Sequence, residues 1–256
     1  MGFDQKFDFS GKHVFITGGT KGLGLSTAEA FARAGANLIL GYRSDEESTN
    51  KALKDIEALG VQCQLIKADL SASDAMTNIF SEISALDIYV HNAAATAFKP
   101  LLKIEPHHVE KTMNISINSF IQGVKLAQQK MNSGGAIITV GGMDTDKVVS
   151  FHGLLAAAKA GLEQLTRYFA HELAPHNIRV NGVNPGFLET QSTQIMLGPH
   201  FEKISKAYSE SLPLKRPARL EEVANIILFL ASDTSSWIVG ETIRADGGFH
   251  RSINFL

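Results

Sequence analysis

The sequence predicts a doubly wound α/β fold, with one parallel sheet of about seven strands and helices on both faces. Three observations predict it. Strand-like and helix-like stretches alternate from end to end. A glycine-rich turn separates the first strand pattern from the first helix pattern. No repeat, low-complexity tract or linker divides the 256 residues, so residues 1–256 are expected to form one domain.

The elements follow in order. His13-Val14-Phe15-Ile16 reads as a strand, and Leu25 to Ala36 as a helix. Between them, Gly18, Gly22 and Gly24 allow a tight turn and close approach to a pyrophosphate, with the free N–H groups of the helix start facing the anion. Asn37 to Gly41 is a second strand. Ser44-Asp45-Glu46-Glu47 reads as a capping box opening a helix to about Leu59. Gln62 to Ala68 is a third strand, followed by a helix from Ser71 to Ala85. Asp87 to His91 is a fourth strand. Pro106 starts a long helix to about Met131, and Ala136 to Val140 is a fifth strand. A helix over Phe151 to Leu173 carries Leu155, Leu162, Leu165, Phe169 and Leu173 at core spacing. Arg179 to Val183, Leu220 to Ala231 and Glu241 to Ala245 complete the pattern as strand, helix and strand. The stretch at about 189–216 breaks the rhythm with Gly198-Pro199 and Pro213. It reads as a substrate lid with a short helix around Phe201 to Tyr208.

Composition narrows the function. Lys plus Arg number 24 against 26 Asp plus Glu, so no electrostatic footprint for nucleic acid appears. The single cysteine, Cys63, excludes an internal disulfide framework and a cysteine zinc cluster, and suits a reducing compartment. His107 and His108 read as first-turn helix residues rather than metal ligands, so no metal is expected. The densest apolar run, Ile226 to Ala231, is too short to span a bilayer, and the first residues show no hydrophobic signal core. A soluble cytoplasmic protein is expected, without nucleic-acid or membrane partners.

Thr17-Gly18-x3-Gly22-x-Gly24, Asp69, Asn92-Ala93-Ala94, Asn114, Lys159, Asn184-Pro185-Gly186 with Thr190, and Asp246-Gly247-Gly248 together resemble the short-chain dehydrogenase/reductase family over nearly the whole chain. The resemblance implies a Rossmann fold, an NAD(P)-dependent oxidoreductase and a homotetramer. It places Gly18, Thr20, Lys21, Gly22, Leu23 and Gly24 at the pyrophosphate, and Asp69 with Leu70 at the adenine. It sets Asn92, Ala93, Ala94, Pro185, Gly186 and Leu188 along the nucleotide, and Thr190 at the carboxamide. After the second strand stands Arg43, with Lys21 in the glycine turn. Two cations favour a 2′-phosphate, so NADPH is expected over NADH.

One departure decides the chemistry. The family's usual Tyr, four residues before the Lys, is Leu155 here, and its Ser falls in Gly141-Gly142-Met143. The proton donor and its partner are both missing, so plain carbonyl reduction is poorly served. A subset of the family, the enoyl-thioester reductases, spaces Tyr seven residues before Lys. That position is His152. Asn92-Ala93-Ala94-Ala95, Lys99-Pro100, His107-His108, Met113-Asn114 and Leu165-Thr166-Arg167-Tyr168 also resemble that subset. The resemblance implies that Lys159 holds the nicotinamide ribose, supported by Asn114 through a water, while His152 serves as hydrogen-bond donor to an enolate oxygen. The other reading of His152 is a capping or packing histidine. Asp144, Thr145 or Asp146 could orient it, though a solvated loop is the plainer expectation. The expected substrate is a small-molecule or carrier-tethered α,β-unsaturated thioester or conjugated carbonyl. A ketone reductase with a displaced donor, and an inactive NADP(H)-binding protein, are the alternatives.

Overall fold

The structure is a computed structural model that describes residues 7–131 and 134–251. Its seven strands are β1 His13–Thr17, β2 Asn37–Tyr42, β3 Cys63–Lys67, β4 Ile88–His91, β5 Gly135–Val140, β6 Ile178–Pro185 and β7 Thr242–Ala245. All pair in parallel, in the order 3-2-1-4-5-6-7. The fold is the single-domain, doubly wound Rossmann arrangement the alternation predicts.

The strands are buried on both sides, so their residues sort by alternation onto two cores. Val14, Ile16, Leu38, Leu40, Ile88 and Val90 point to one face, under α1 (Gly22–Arg33) and α9 (Leu220–Ala231). Phe15, Ile39, Tyr89, Ile137 and Val180 point to the other, under α3 (Ala75–Ser81), α5 (Ser119–Gln128) and α6 (Gly153–Leu173). The chain reverses its winding between β1 and β4, which opens a crevice at the carboxyl ends of those two strands.

Several local expectations shift. Helix α1 begins at Gly22 rather than Leu25 and ends at Arg33. The cap of α2 (Glu46–Glu57) is Asp45, whose carboxylate accepts the Ser48 N–H, so the box does not start at Ser44. Helix α3 starts only at Ala75, because Asp69 bonds the N–H and hydroxyl of Ser71 and holds that stretch in a turn. The long helix from Pro106 is interrupted: α4 (Pro106–Met113) and α5 are joined by a π turn over Asn114–Asn118. The region 189–216 holds two helices, α7 (Gln191–Leu197), absent from the sequence reading, and α8 (Phe201–Ser211). Among the described residues no helix is long and apolar enough to cross a membrane.

Candidate active site

A cleft of about 540 Å³ runs along the crevice. One end is built by the glycine turn. Gly18 and Gly22 adopt φ of +64° and +55°, a region that favours glycine. A Cβ on Gly24 would lie 2.1 Å from the Gly18 carbonyl oxygen, so only glycine lets the helix start pack this close. Helix α1 has no side-chain cap and no acid in its first turn. Its leading N–H groups therefore face the cleft as a ready anion site. The Thr17 hydroxyl accepts the N–H groups of Asn92 and Ala93 at 3.0 and 3.1 Å. The Asn92 amide in turn donates to the carbonyls of Thr17 and Gly18, at 3.0 and 3.2 Å. This latch ties β1 to β4 across the switch point; nothing in the spacing alone reveals it.

Lys21 and Arg43 both line this end, as do Thr20, Leu23, Asp69 and Leu70. Two hydrogen bonds from Ser71 hold the Asp69 carboxyl below its usual range, helped by Arg43 and Lys111. Asp45 also lines the cleft, but its carboxylate is engaged at the start of α2. The cationic pair thus remains the charge best placed for a phosphate. Ala93, Ala94, Pro185, Gly186, Leu188 and Thr190 line the middle. Thr190 caps α7 through the Thr193 N–H, and its methyl lies where a Cβ on Gly22 would meet it at 3.6 Å, so α7 starts directly over the glycine turn.

The far end holds the candidate chemistry. Lys159 is buried and donates to the Val140 carbonyl at 2.5 Å. Burial lowers its pKa to about 8, with Asp144 opposing the shift. His152 stands at the start of α6, but its ring makes no capping bond. Its Nδ1 lies 3.2 Å from Oδ2 of Asp144, and the ring packs on Phe98 with centroids 5.1 Å apart. Asp144 is 8% exposed, which corrects the expectation of a solvated loop. A carboxylate accepts only, so Nδ1 carries the proton and Nε2 is the nitrogen left for the cleft. Leu155 and Gly142 line the wall where the family's Tyr and Ser are expected. Of the tyrosines, Tyr42 alone lines this cleft among the described residues, at the Arg43 end; Tyr89 is buried in the core, Tyr168 is exposed, and Tyr208 accepts the Phe187 N–H beside a separate small cavity.

Two predicted site residues, Gly24 and Asn114, do not line the cleft. Gly24 acts by close packing. Asn114 opens the π turn and donates to the Ser71 carbonyl at 3.1 Å, with no direct bond to Lys159. The turn leaves carbonyls without helical partners. The Ser119 hydroxyl takes that of Ile115, and His91 Nε2 that of Ser116 at 3.2 Å, while the Tyr89 hydroxyl bonds His91 Nδ1 at 2.9 Å. Burial, the charge of Lys159 and only partial compensation by Ser116 bring His91 down to about 3, so it is neutral. The sequence reading missed this buried network.

His107 and His108 stand in the first turn of α4, as the sequence predicts. Glu105, the N-cap residue of α4, brings a carboxylate beside them, with all three donor atoms within 4.8 Å of one another. However, His108 Nδ1 accepts the Glu105 N–H and its Nε2 faces Lys99 Nζ at 3.3 Å. Both ring nitrogens are engaged in closing the helix start, and an ammonium stands where a cation would go.

The glycine cradle, the uncapped helix start and the long cleft fit a dinucleotide, which points to the nucleotide-dependent oxidoreductases. A family model described as enoyl-(acyl carrier protein) reductase matches residues 18–250. The chain belongs to the short-chain dehydrogenase/reductase family, whose members use NAD(P)H, and is an oxidoreductase. It is 30% identical to the 1-cyclohexenylcarbonyl-CoA reductase of Streptomyces collinus, over 91% of this chain and 85% of that one. It is 33% identical to a 3-oxoacyl-acyl-carrier-protein reductase of Aquifex aeolicus, over 95% and 99%. A short-chain dehydrogenase of Burkholderia cenocepacia solved in complex with NADP superposes with a TM-score of 0.87 at 27% identity, covering 94% of this chain and 98% of that one.

Proposed function

We propose that this protein is an NADPH-dependent ene reductase acting on an α,β-unsaturated thioester or related conjugated carbonyl. The observation that carries the reading is the Asp144–His152 pair, set at the far end of the cleft where no tyrosine stands. Lys21 and Arg43 support the choice of NADPH by their place at the adenosine end. Likeness to a 1-cyclohexenylcarbonyl-CoA reductase supports an unsaturated acyl thioester as substrate.

When bound, the reduced nicotinamide supplies hydride. The residues of this chain do the rest. Glycine-turn amides and the start of α1 hold the pyrophosphate, and Lys159 holds the nicotinamide ribose. Hydride arrival at the β-carbon of the substrate builds negative charge on the thioester oxygen as an enolate, and a proton from solvent at the α-carbon completes the saturation. Because Asp144 holds Nδ1–H, His152 donates from Nε2 only as imidazolium. An enolate oxygen is less basic than an alkoxide, so a hydrogen bond from His152 is enough to carry its charge. Residues 189–216, led by α7, close over the cleft as a substrate lid. The resemblance further supports a homotetramer.

Likeness to a 3-oxoacyl reductase favours a second reading, ketone reduction with His152 as acid. Incubation with NADPH and either crotonyl-CoA or acetoacetyl-CoA, followed at the nicotinamide absorbance, separates them. Consumption with the crotonyl thioester alone is expected. Consumption with acetoacetyl-CoA alone selects the ketone reading.

A further inference from the structure

We propose that Met196 is a stopper for the donor: its thioether holds the place that the substrate oxygen must take, and the reaction requires its displacement. The proposal rests on the reading of His152 as donor. The geometry is direct. The Met196 sulfur lies 3.2 Å from His152 Nε2, the one ring nitrogen that Asp144 leaves for the cleft. A substrate oxygen bound to that nitrogen would occupy the same space.

The helix that carries the sulfur is lightly held. None of the residues of α7 is buried, Ile195 is 76% exposed and Met196 itself is half-buried. At its end Gly198 takes φ of +50° with open space where a Cβ would stand. At its start the hold comes from Thr190 and Thr193, which cap the helix over the glycine turn. The lid is therefore pinned at the nucleotide end and free to lift at the donor end. The chemistry of the contact agrees. In the neutral ring the sulfur simply covers Nε2; once Nε2 is protonated and donates, the thioether is a weak acceptor that a carbonyl oxygen outcompetes. A leucine would cover without accepting; a glutamine would accept too well.

Two measurements test this. Carbethoxylation by diethyl pyrocarbonate attacks an unprotonated, accessible imidazole nitrogen, and peptide mapping isolates His152 from the other eight histidines. Met196→Ala should speed modification at His152 by about tenfold and leave the rest unchanged, whereas equal rates at His152 overturn the proposal. With crotonyl-CoA, Met196→Ala should lower KM and Met196→Gln should raise it by about tenfold, both with kcat held. A KM that rises in Met196→Ala makes Met196 a wall of the substrate site and ends the stopper role. The modification rates decide the matter without turnover, so a failure of the ene-reductase reading is distinguishable: there His152→Ala leaves turnover intact, or crotonyl-CoA is not consumed, while the modification rates still respond to Met196.

Discussion

The two ends of the cleft are built differently. At the glycine-turn end the parts are mostly backbone, positive-φ glycines and an uncapped helix start, steadied by the Thr17 hydroxyl and the Asn92 amide across two adjacent strands. At the reacting end the parts are side chains from scattered elements, with Asp144 from the loop after β5, His152 and Lys159 from α6, Phe98 from the loop after β4 and Met196 from the lid. Backbone requirements fix residue type tightly; side-chain requirements can be met by different residues from different places. That difference explains why the glycine end is legible from one local motif while the reacting end is assembled from side chains far apart in the chain.

The largest effect should follow from touching the backbone end. Gly24→Ala forces a Cβ into the Gly18 carbonyl, and NADPH affinity measured by calorimetry should fall by about a hundredfold or more. Retained affinity would mean the turn has slack that its packing denies. At the other end, His152→Ala should lower kcat by on the order of a hundredfold, and Asp144→Asn by about tenfold, with NADPH binding unaltered. A kcat within threefold of the parent in His152→Ala removes the donor role. Smaller than the His152 effect is that of the charge proposed to favour the phosphate. Arg43→Asp should shift the NADPH to NADH preference by about tenfold, and an unchanged ratio would locate the selection elsewhere. Least direct is His91→Phe, which leaves the Ser116 carbonyl and the Tyr89 hydroxyl unpartnered in the core. It should lower unfolding free energy by about 2 kcal/mol in a urea titration, with only a minor change in kcat.

Legibility in the sequence follows the same division. The parallel sheet with helices on both faces was readable because alternation and the 3.6-residue period are local properties of the chain, whereas the strand order, a matter of which distant strands pair, was not. The glycine turn was readable because Gly18, Gly22 and Gly24 stand within one strand–helix unit. Asp144 was named but expected in solvent, since burial of a loop carboxylate depends on what folds over it. Met196 carried no signal at all: it lies 44 residues from His152, and only the lid brings them together. The π turn also escaped, because the residues of Asn114–Asn118 are compatible with an unbroken helix and the turn is held by His91 from a distant strand.

Lys159 has a consequence for endurance as well as for chemistry. Its folded pKa of about 8 lies below the ordinary 10.5 because the ammonium is buried. Between those values the unfolded chain holds a proton the folded one lacks, so stability rises with pH across that window. Below about pH 8 the full cost of the buried charge applies, roughly 3 kcal/mol. On the proposed reading a neutral Lys159 no longer offers positive charge to the nicotinamide ribose, so turnover should decline as pH climbs through 8. Just above pH 8, before the raised thiol of Cys63 begins to offset the gain, the contribution of Lys159 to heat resistance and its contribution to rate should therefore run in opposite directions.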